Sequence, residues 1–238
     1  MKVSIVIPAY NEEGYIERTL AAVQALSYAD KEIIVVDNNC TDTTAKIVGR
    51  FPGVMLVSEK RRGTQYAREC GRLSATGDII ASLDADCIPP PDWIERALPY
   101  FDDPSVAAVS GVYDYYDGSV VFRYGSRLLQ TYFYGALHRA FHLFIDRGSI
   151  MIGGNNFVRA KALKAIGGYN TSILFYGDDT DTARRISHVG KIRFTGTIVV
   201  KTSIRRFRKV GFIRTTWLYV INYLWITVRG KPLHPHSR

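Results

Sequence analysis

The first hundred residues alternate short apolar runs with segments of helical periodicity, and this alternation constrains the fold more than any other feature. Strands that alternate with helices form βαβ units, and such units build a mostly parallel sheet with helices on its faces. We therefore predict an α/β fold with a central, mostly parallel sheet flanked by helices. The predicted strands are residues 3–7, 32–36, 54–57, 78–83 and 107–112, and predicted helices begin near residues 11, 41, 63 and 91.

The pattern changes near residue 115, where aromatic side chains become frequent. The elements predicted beyond this point are a helix over 120–145, a strand over 150–157 that Gly153-Gly154-Asn155-Asn156 interrupt, and helices over 161–166 and 177–189. No linker-like stretch separates the two parts. We expect one domain over 1–210, made of the halves 1–115 and 116–210, followed by a basic, aromatic and amphipathic helical segment over 211–238.

The charge of the chain is unevenly distributed. The net charge is +9, yet the stretch from Thr182 to Arg238 holds 13 Lys or Arg and no Asp or Glu. All 22 acidic residues therefore lie before Thr182, together with 18 basic ones. A mildly acidic body with a basic tail predicts an anionic partner, either lipid head groups or nucleic acid.

Hydrophobic residues make up 47% of the chain, which is enough for a sizeable core. The three cysteines form no C-x-x-C pair, so a reducing compartment is favoured over a disulfide framework or a zinc ribbon. The apolar stretch at the N-terminus is too short for a signal peptide.

Acidic residues follow two of the predicted strands and open one predicted helix. Asp84 and Asp86 end a buried strand one residue apart, Asp37 ends another, and Asp178 and Asp179 begin a helix. Two carboxylates at the end of such a strand can hold a divalent cation at the edge where α/β sheets bind ligands. Taken alone, the first pair fits a turn before three prolines equally well. The second pair also suits the positive end of a helix dipole.

Several motifs occur in a characteristic order over residues 3–195. They are Pro8-Ala9-Tyr10-Asn11-Glu12, Val36-Asp37-Asn38-Asn39-Cys40-Thr41-Asp42, Gly63 with Ala67-Arg68 and Gly71, Asp84-Ala85-Asp86, Gly153-Gly154-Asn155-Asn156 with Arg159, Gly167-Gly168-Tyr169, and Gly177-Asp178-Asp179-Thr180-Asp181. In this order the chain resembles the family 2 glycosyltransferases, which have the GT-A fold and invert the anomeric centre. No G-x-G-x-x-G follows the first strand, so a dinucleotide site is not indicated.

The resemblance implies that the first half binds a nucleotide-sugar donor and the second half binds the acceptor. The implied nucleotide-binding residues are Pro8, Ala9, Tyr10, Glu12, Asp37, Asn38, Arg68 and Asp84. Asn38-Asn39 stand where the family commonly has Asp-Gly, so one charge is lost. We expect Asn39 to adopt the left-handed conformation that glycine would supply.

The resemblance also implies a metal ion and a general base. Asp86, with Asp84 beside it, is the implied ligand of Mn²⁺ or Mg²⁺, which would neutralise charge on the leaving nucleoside diphosphate. Asp179 is the implied base for an acceptor hydroxyl, and Asp178, which replaces a glutamate, supports it. The remaining implied positions are Gly154, Asn155 and Asn156 on the acceptor and donor-sugar side, and Arg205 and Arg206 on the diphosphate.

A membrane surface is a second predicted partner. Residues 212–228 place Trp217, Trp225 and several aliphatic side chains on one helical stripe. Between Arg214 and Arg229 lie 14 residues, or about 21 Å of helix against about 30 Å of hydrocarbon. A helix in the head-group plane is therefore favoured over a span. Packing of this stripe, and of the stripe over 120–145, on the domain's own core is the alternative.

These expectations describe an inverting, metal-dependent transferase that moves a sugar from a UDP- or GDP-sugar to a hydroxyl or phosphate acceptor. A lipid-linked, polyprenyl-phosphate or cell-envelope glycan is the expected acceptor, and no nucleic acid is expected as partner. The expected location is the cytoplasm, at the inner face of the cell membrane. The alternatives are a sugar nucleotidyltransferase and a non-catalytic basic module, on the same fold, that binds membrane or nucleic acid.

Overall fold

The fold is taken from a computed structural model of the 238-residue chain. The structure describes residues 1–134, 136, 150–173 and 177–211, and positions 214, 215, 217, 218, 221, 222, 225 and 226. Predictions that fall on the other positions, including most of the second half of the 120–145 helix, lie outside the described residues.

Among the described residues, seven strands form one sheet: β1 (Val3–Ala9), β2 (Lys31–Asp37), β3 (Val54–Ser58), β4 (Ile79–Leu83), β5 (Val106–Tyr115), β6 (Asn155–Arg159) and β7 (Lys191–Thr202). Their order is β3-β2-β1-β4-β6-β5-β7. β6 runs antiparallel to β4 and β5, whereas the other pairings are parallel. The predicted mostly parallel sheet is confirmed, with β6 as its reversed strand.

Helices cover both faces of this sheet. They are α1 (Ile16–Gln24), α2 (Thr44–Val48), α3 (Thr64–Ser74), α4 (Trp93–Ala97), α5 (Val120–Leu128), α6 (Ala160–Ala165), α7 (Asp178–Ile186) and α8 (Arg205–Val210). A 3₁₀ turn, Leu98–Asp102, extends α4, and a π-helical stretch, Leu129–Tyr134, extends α5. Within the described residues, no helix combines the length and the apolar character needed to cross a membrane.

The core lies in two layers, one on each face of the sheet. Side chains alternate along β1, so Ile5 and Ile7 enter one layer with Trp93 while Val6 enters the other with Leu163. Both faces of β1 and β4 are therefore buried, as expected for central strands of a parallel sheet. This packing fixes the positions at which the strands end, and thereby fixes the residues that follow them.

The loop after β1 differs from its prediction. Pro8 lies inside the strand, paired with β2, and does not turn the chain. α1 begins at Ile16 and not near residue 11, where a helix was predicted to begin, and Asn11 has a φ of 54°. Its side-chain Oδ1 accepts a hydrogen bond of 2.8 Å from the backbone N–H of Thr41 instead. This side-chain bond between two loops replaces the first helical turn that the sequence suggested.

The second half departs from its predicted bounds in two places. The strand predicted over 150–157 begins only at Asn155, because residues 153–154 form the turn that precedes it. α6 ends as predicted at a glycine pair, Gly167 and Gly168, with φ values of 76° and 82°. β7 and α8, for which no bounds were predicted, carry the chain back to the edge of the sheet where β4 ends.

Candidate active site

The predicted acidic residues gather at the carboxyl edge of the parallel strands. β1 and β2 end in register, with Ala9 paired to Asp37. β4 ends immediately before Asp84, and its last residue pairs with Asn155 at the start of β6. This rim is the place at which α/β sheets bind ligands.

A buried arginine joins three of these acidic residues. Arg68 on α3 donates hydrogen bonds from Nη1 to Asp179 Oδ1 at 2.8 Å and to Asp178 Oδ2 at 3.1 Å. Its Nη2 lies 3.5 Å from Asp84 Oδ1. Burial opposes the charge of Arg68, but the three carboxylates outweigh it and raise the pKa of the guanidinium. Arg68 thus contacts the acidic cluster, and its contact with the nucleotide stays a prediction.

Two glycines allow the cluster to close. A Cβ atom on Gly153 would overlap Asp179 and Arg68, and one on Gly154 would overlap the Asp84 carboxylate. The hydroxyl of Tyr113 on β5 donates to Asp84 Oδ2 at 3.1 Å. Close backbone approach was expected for this Gly-Gly segment, and the groups that approach it are the acidic side chains.

Asp179 is fixed at both of its carboxylate oxygens. Oδ1 accepts from Arg68, and Oδ2 accepts from the backbone N–H of Gly153 at 3.0 Å. Burial and the neighbouring Asp178 raise the pKa of Asp179 to about 7, although Arg68 acts against this rise. The side chain keeps 32% of its surface exposed, so a bound hydroxyl can reach it. A reachable carboxylate with a pKa near neutral is suited to accept and release protons.

Asp84 and Asp86 supply the hard oxygen ligands of a candidate metal centre. One ligand atom each from Asp84, Asp86 and Cys87 lie within 4.8 Å of one another. Burial raises the pKa of the Cys87 thiol well above its usual value, so the thiol stays protonated. The two carboxylates are therefore the groups that fit Mg²⁺ or Mn²⁺.

Arg205, at the start of α8, lies against this metal centre. Its Nε donates to Asp86 Oδ2 at 2.9 Å and its Nη2 donates to Glu12 Oε1 at 2.6 Å. Burial raises the pKa of Asp86 and of Glu12, although Arg205 lowers both. Glu12 was predicted to contact the nucleotide, and the structure gives it a protein partner instead.

On the predicted nucleotide side, Asp37 ends β2 and Asn39 follows it in the connecting turn. Asp37 Oδ1 accepts from the backbone N–H of Cys40 at 2.8 Å, which orients the carboxylate at the end of β2. Asn39 has a φ of 66°, so the left-handed conformation expected of it is confirmed. The ring of Tyr10 lies 4.3 Å from the guanidinium carbon of Arg62. Pro8 and Ala9 belong to β1 itself.

Asn38 has a different role from the predicted one. Its side chain is buried and donates to the carbonyls of Glu59 and Arg61 at 2.9 and 2.8 Å. Its Oδ1 accepts from the backbone N–H of Gly63 at 2.8 Å. The amide therefore fixes the loop between β3 and α3, and we assign it to that loop and not to the nucleotide.

Asn155 and Asn156 also differ from their prediction. Both lie in β6 and are buried. Asn155 donates to the carbonyls of Val112 and Ile198 and accepts from the indole N–H of Trp93, so its amide joins three elements of the core. Asn156 donates to backbone carbonyls of the turn at residues 152–153. These side chains shape the turn that holds Asp179, and Gly154 is the predicted residue of this segment that contacts the site.

Three contacts of the site were not predicted from the sequence. The Gly153 N–H lies in a recognised motif, but the motif does not reveal that it binds Asp179. Tyr113 lies in a strand with no local signal. Arg205 was assigned to the diphosphate, and its contact with Asp86 depends on the unassigned path of β7 and α8.

The comparisons with known proteins fit this geometry. The model of glycosyl transferase family 2 matches residues 4–167. The chain is 27% identical over 258 residues to the glycosyltransferase AglE of Haloferax volcanii, which covers 98% of this chain and 83% of that protein. It is 31% identical over 191 residues to a glucosyl-dolichyl phosphate glucuronosyltransferase of the same organism, which covers 75% of this chain and 59% of that protein.

A solved structure shares both the fold and part of the sequence. The mannosyltransferase PcManGT from Pyrobaculum calidifontis, in complex with GDP-Man and Mn²⁺, matches with a TM-score of 0.76 and 26% identity over 98% of this chain and 66% of that chain. S. aureus TarS matches at 16% identity with a TM-score of 0.65, over 93% of this chain and 39% of that one, which shows the fold alone. Because the family model covers most of the chain and the sheet has the matching architecture, the chain belongs to glycosyl transferase family 2 and has the GT-A fold.

Proposed function

We propose that this chain is an inverting, metal-dependent glycosyltransferase that transfers a sugar from a GDP- or UDP-sugar to a hydroxyl of a lipid-linked glycan. The observation that carries the proposal is the state of Asp179. Its two oxygens are fixed by Arg68 and Gly153, and it belongs to one ionic cluster with Asp84 at the carboxyl edge of the sheet.

The chemistry assigned to Asp179 is proton transfer. Its carboxylate takes the proton of the acceptor hydroxyl while that oxygen bonds to the anomeric carbon, on the face opposite the diphosphate. The bond from the anomeric carbon to the diphosphate oxygen breaks, and the nucleoside diphosphate leaves with the electron pair. A single displacement of this kind inverts the anomeric centre.

The same carboxylate favours one kind of acceptor over the other. A phosphate monoester is already ionised at neutral pH and needs no base to attack, because its second pKa is about 6. A hydroxyl needs a base whose pKa lies near the working pH, and the pKa of Asp179 is raised to about 7. We therefore favour a glycan hydroxyl over a polyprenyl phosphate as the attacking group.

Asp86 and Asp84 are the residues proposed to hold Mn²⁺ or Mg²⁺, with Asp86 as the more direct ligand. The ion, when bound, neutralises charge that develops on the leaving diphosphate. Asp37 and Tyr10 are proposed for the nucleoside, and Arg205 and Arg206 for the diphosphate. The complex of PcManGT with GDP-Man and Mn²⁺ supports testing GDP-mannose first.

Contact with the inner face of a membrane is part of the proposal, since it would bring the enzyme to a lipid-linked acceptor. The supporting surface is an apolar patch on α5 and the π-helical stretch, which we call the α5 patch. Its residues, each half or more exposed, are Val120, Val121, Tyr124, Leu128, Leu129 and Tyr132. Exposed apolar patches of this kind mark binding surfaces for proteins or lipids. The dolichyl-phosphate relative supports a lipid-linked acceptor.

The described part of the C-terminal segment supports the same arrangement. Thr215, Asn222 and Ile226 are buried, and Ile226 lies against Gly177 at the start of α7. Trp217 and Trp225 are exposed. The exposed surface of Trp217 is available for contact with a membrane, and on this ground we favour an interfacial helix.

A thermal-shift panel of GDP- and UDP-sugars, with and without Mn²⁺, tests donor binding. We expect one donor to raise the melting temperature only when the metal is present, and flat curves across the panel would refute the proposal. Asp179→Asn should keep the metal-dependent shift and lose transfer to a hydroxyl acceptor by about 100-fold to 10,000-fold. Normal turnover of this variant would exclude Asp179 as the base.

A further inference from the structure

Arg205 supplies a positive charge to Asp86, the residue proposed as a metal ligand. Its guanidinium donates to Asp86 Oδ2 and to Glu12 Oε1, and its Cζ atom lies 4.4 Å from the centre of the Tyr15 ring. Ion pairs, hydrogen bonds and the ring contact thus hold the guanidinium against one face of the candidate metal centre. A divalent ion that binds Asp86 and this guanidinium compete for the same carboxylate.

Because the side chains of Asp86 and Glu12 are largely buried, they need a positive partner both with and without a bound metal ion. The side chains of Asp86 and Glu12 are 11% and 13% exposed. Two carboxylates so far from water are costly unless a positive group compensates them. Glu12 Oε2 is buried and has no hydrogen-bond partner, so the pair remains short of positive partners even with Arg205 in place.

The attachment of Arg205 allows it to move without disturbing the sheet. It is the first residue of α8, two residues after Ser203 and beyond the end of β7. Its backbone N–H donates to Ser203 Oγ at 3.2 Å, and this bond anchors the main chain independently of the side chain. The side chain is 36% exposed, so the guanidinium is in part accessible from solvent.

We propose that Arg205 is a resident counter-cation, which neutralises Asp86 and Glu12 in the absence of donor and leaves Asp86 when a metal-bound diphosphate enters. The inference rests on the proposed function, because it requires Asp86 to be a metal ligand. The phosphate oxygens then provide the guanidinium with a new bidentate partner. Metal alone offers no such partner, so metal and nucleoside diphosphate bind together far better than either binds alone.

Binding of Mn²⁺ without nucleotide tests this exchange. Titration followed by electron paramagnetic resonance of free Mn²⁺ compares the wild type, Arg205→Gln and the control Arg208→Gln. Arg208 lies on the same helix and pairs with Asp117 at 3.5 Å, away from Asp86. We expect Arg205→Gln to bind Mn²⁺ alone about tenfold tighter than the wild type, because the competing cation is gone. The control should match the wild type.

Thermal unfolding provides a second measurement on the same variants. Arg205→Gln should melt below the wild type in the absence of metal, and Mn²⁺ should raise its melting temperature more than that of the wild type. If the glutamine variant does not fold, Arg205→Lys replaces it, because lysine keeps the positive charge but lacks the parallel N–H donors of the guanidinium. Its gain in Mn²⁺ affinity should be smaller than the gain expected for Arg205→Gln.

Equal or weaker Mn²⁺ binding by Arg205→Gln would overturn the exchange. This failure differs from failure of the proposed function, which is decided by the wild type with donor and Mn²⁺. If GDP increases Mn²⁺ affinity by the same factor in the wild type and in Arg205→Gln, the inference is also refuted. The contact between the guanidinium and the phosphate would then contribute nothing to joint binding.

Discussion

Replacing Arg68 by glutamine should move the pH dependence of transfer. The guanidinium contacts Asp179 at 2.8 Å and lowers the pKa of that carboxylate against the effects of burial and of Asp178. Loss of a cation at this distance raises the pKa of a carboxylate by about 1 to 3 units. The pKa of Asp179 should therefore rise from about 7 into the range of about 8 to 10.

The size of the effect on turnover follows from the ionised fraction of the base. With a pKa of about 7, Asp179 is half ionised at neutral pH. A rise of about 1 to 3 units leaves about a tenth to a thousandth of it ionised. At pH 7 we expect kcat to fall by about 5-fold to 500-fold, and much of this loss should be recovered near pH 9.

The assay is kcat as a function of pH, with saturating donor and Mg²⁺. In the wild type kcat should fall about tenfold per pH unit below about 7. Arg72→Gln is a matched control, because Arg72 lies on the same helix and pairs with Glu69 at 2.6 Å outside the cluster. If Arg68→Gln loses kcat by the same factor at every pH, so that kcat falls at low pH over the same range as in the wild type, Arg68 does not set the pKa of Asp179.

Protonation of Asp179 should also change the stability of the fold with pH. The pKa of folded Asp179, about 7, lies above its ordinary value of 3.8, so the folded state retains a proton that the unfolded state has lost. The free energy of unfolding therefore decreases as the pH rises from about 4 to about 7. In Arg68→Gln this decrease should continue to higher pH, and melting curves at pH 6 and pH 9 measure it against Arg72→Gln.

Two further substitutions test the site and the membrane surface. Gly153→Ala places a Cβ where Asp179 and Arg68 lie, so kcat should fall by about 100-fold. The control Gly125→Ala has open space at its Cβ and should retain activity. Equal kcat in the two variants would contradict the close approach at Gly153. Val121→Asp should reduce flotation with anionic vesicles by about tenfold, whereas Leu73→Asp, at another highly exposed apolar position, on α3, should not. Equal flotation of both variants would exclude the α5 patch as the membrane contact.

The sequence predicted the parallel half of the sheet well, for a physical reason. The central strands are buried on both faces, so they appear as apolar runs whose ends are marked by polar residues. β4 was predicted within one residue, and Asp84 and Asp86 follow it as expected. α3 likewise follows Gly63 as predicted, so Arg68 could be placed on a helix that faces the site.

The partners of the site residues could not be predicted in this way. The pair of Glu12 and Arg205 joins positions 193 residues apart, and no local pattern reports which carboxylate a distant arginine will meet. Asn155 was predicted to lie on the acceptor and donor-sugar side, but it is buried in the core. Its burial depends on the reversed strand β6, whose direction follows from pairing with β4 and β5 and not from composition.

The charges of the site explain why two arginines with different exposure are present. Five carboxylates (Glu12, Asp84, Asp86, Asp178 and Asp179) share Arg68 and Arg205, so their net charge is −3 when all are ionised. A nucleotide-sugar of charge about −2 that entered alone would add to this repulsion, whereas its complex with a divalent ion would not. Arg68, 6% exposed and held by three carboxylates, is suited to stay beside the base throughout the reaction. Arg205, 36% exposed and held by two, is the guanidinium that can be exchanged, so the difference in burial separates the permanent cation from the replaceable one.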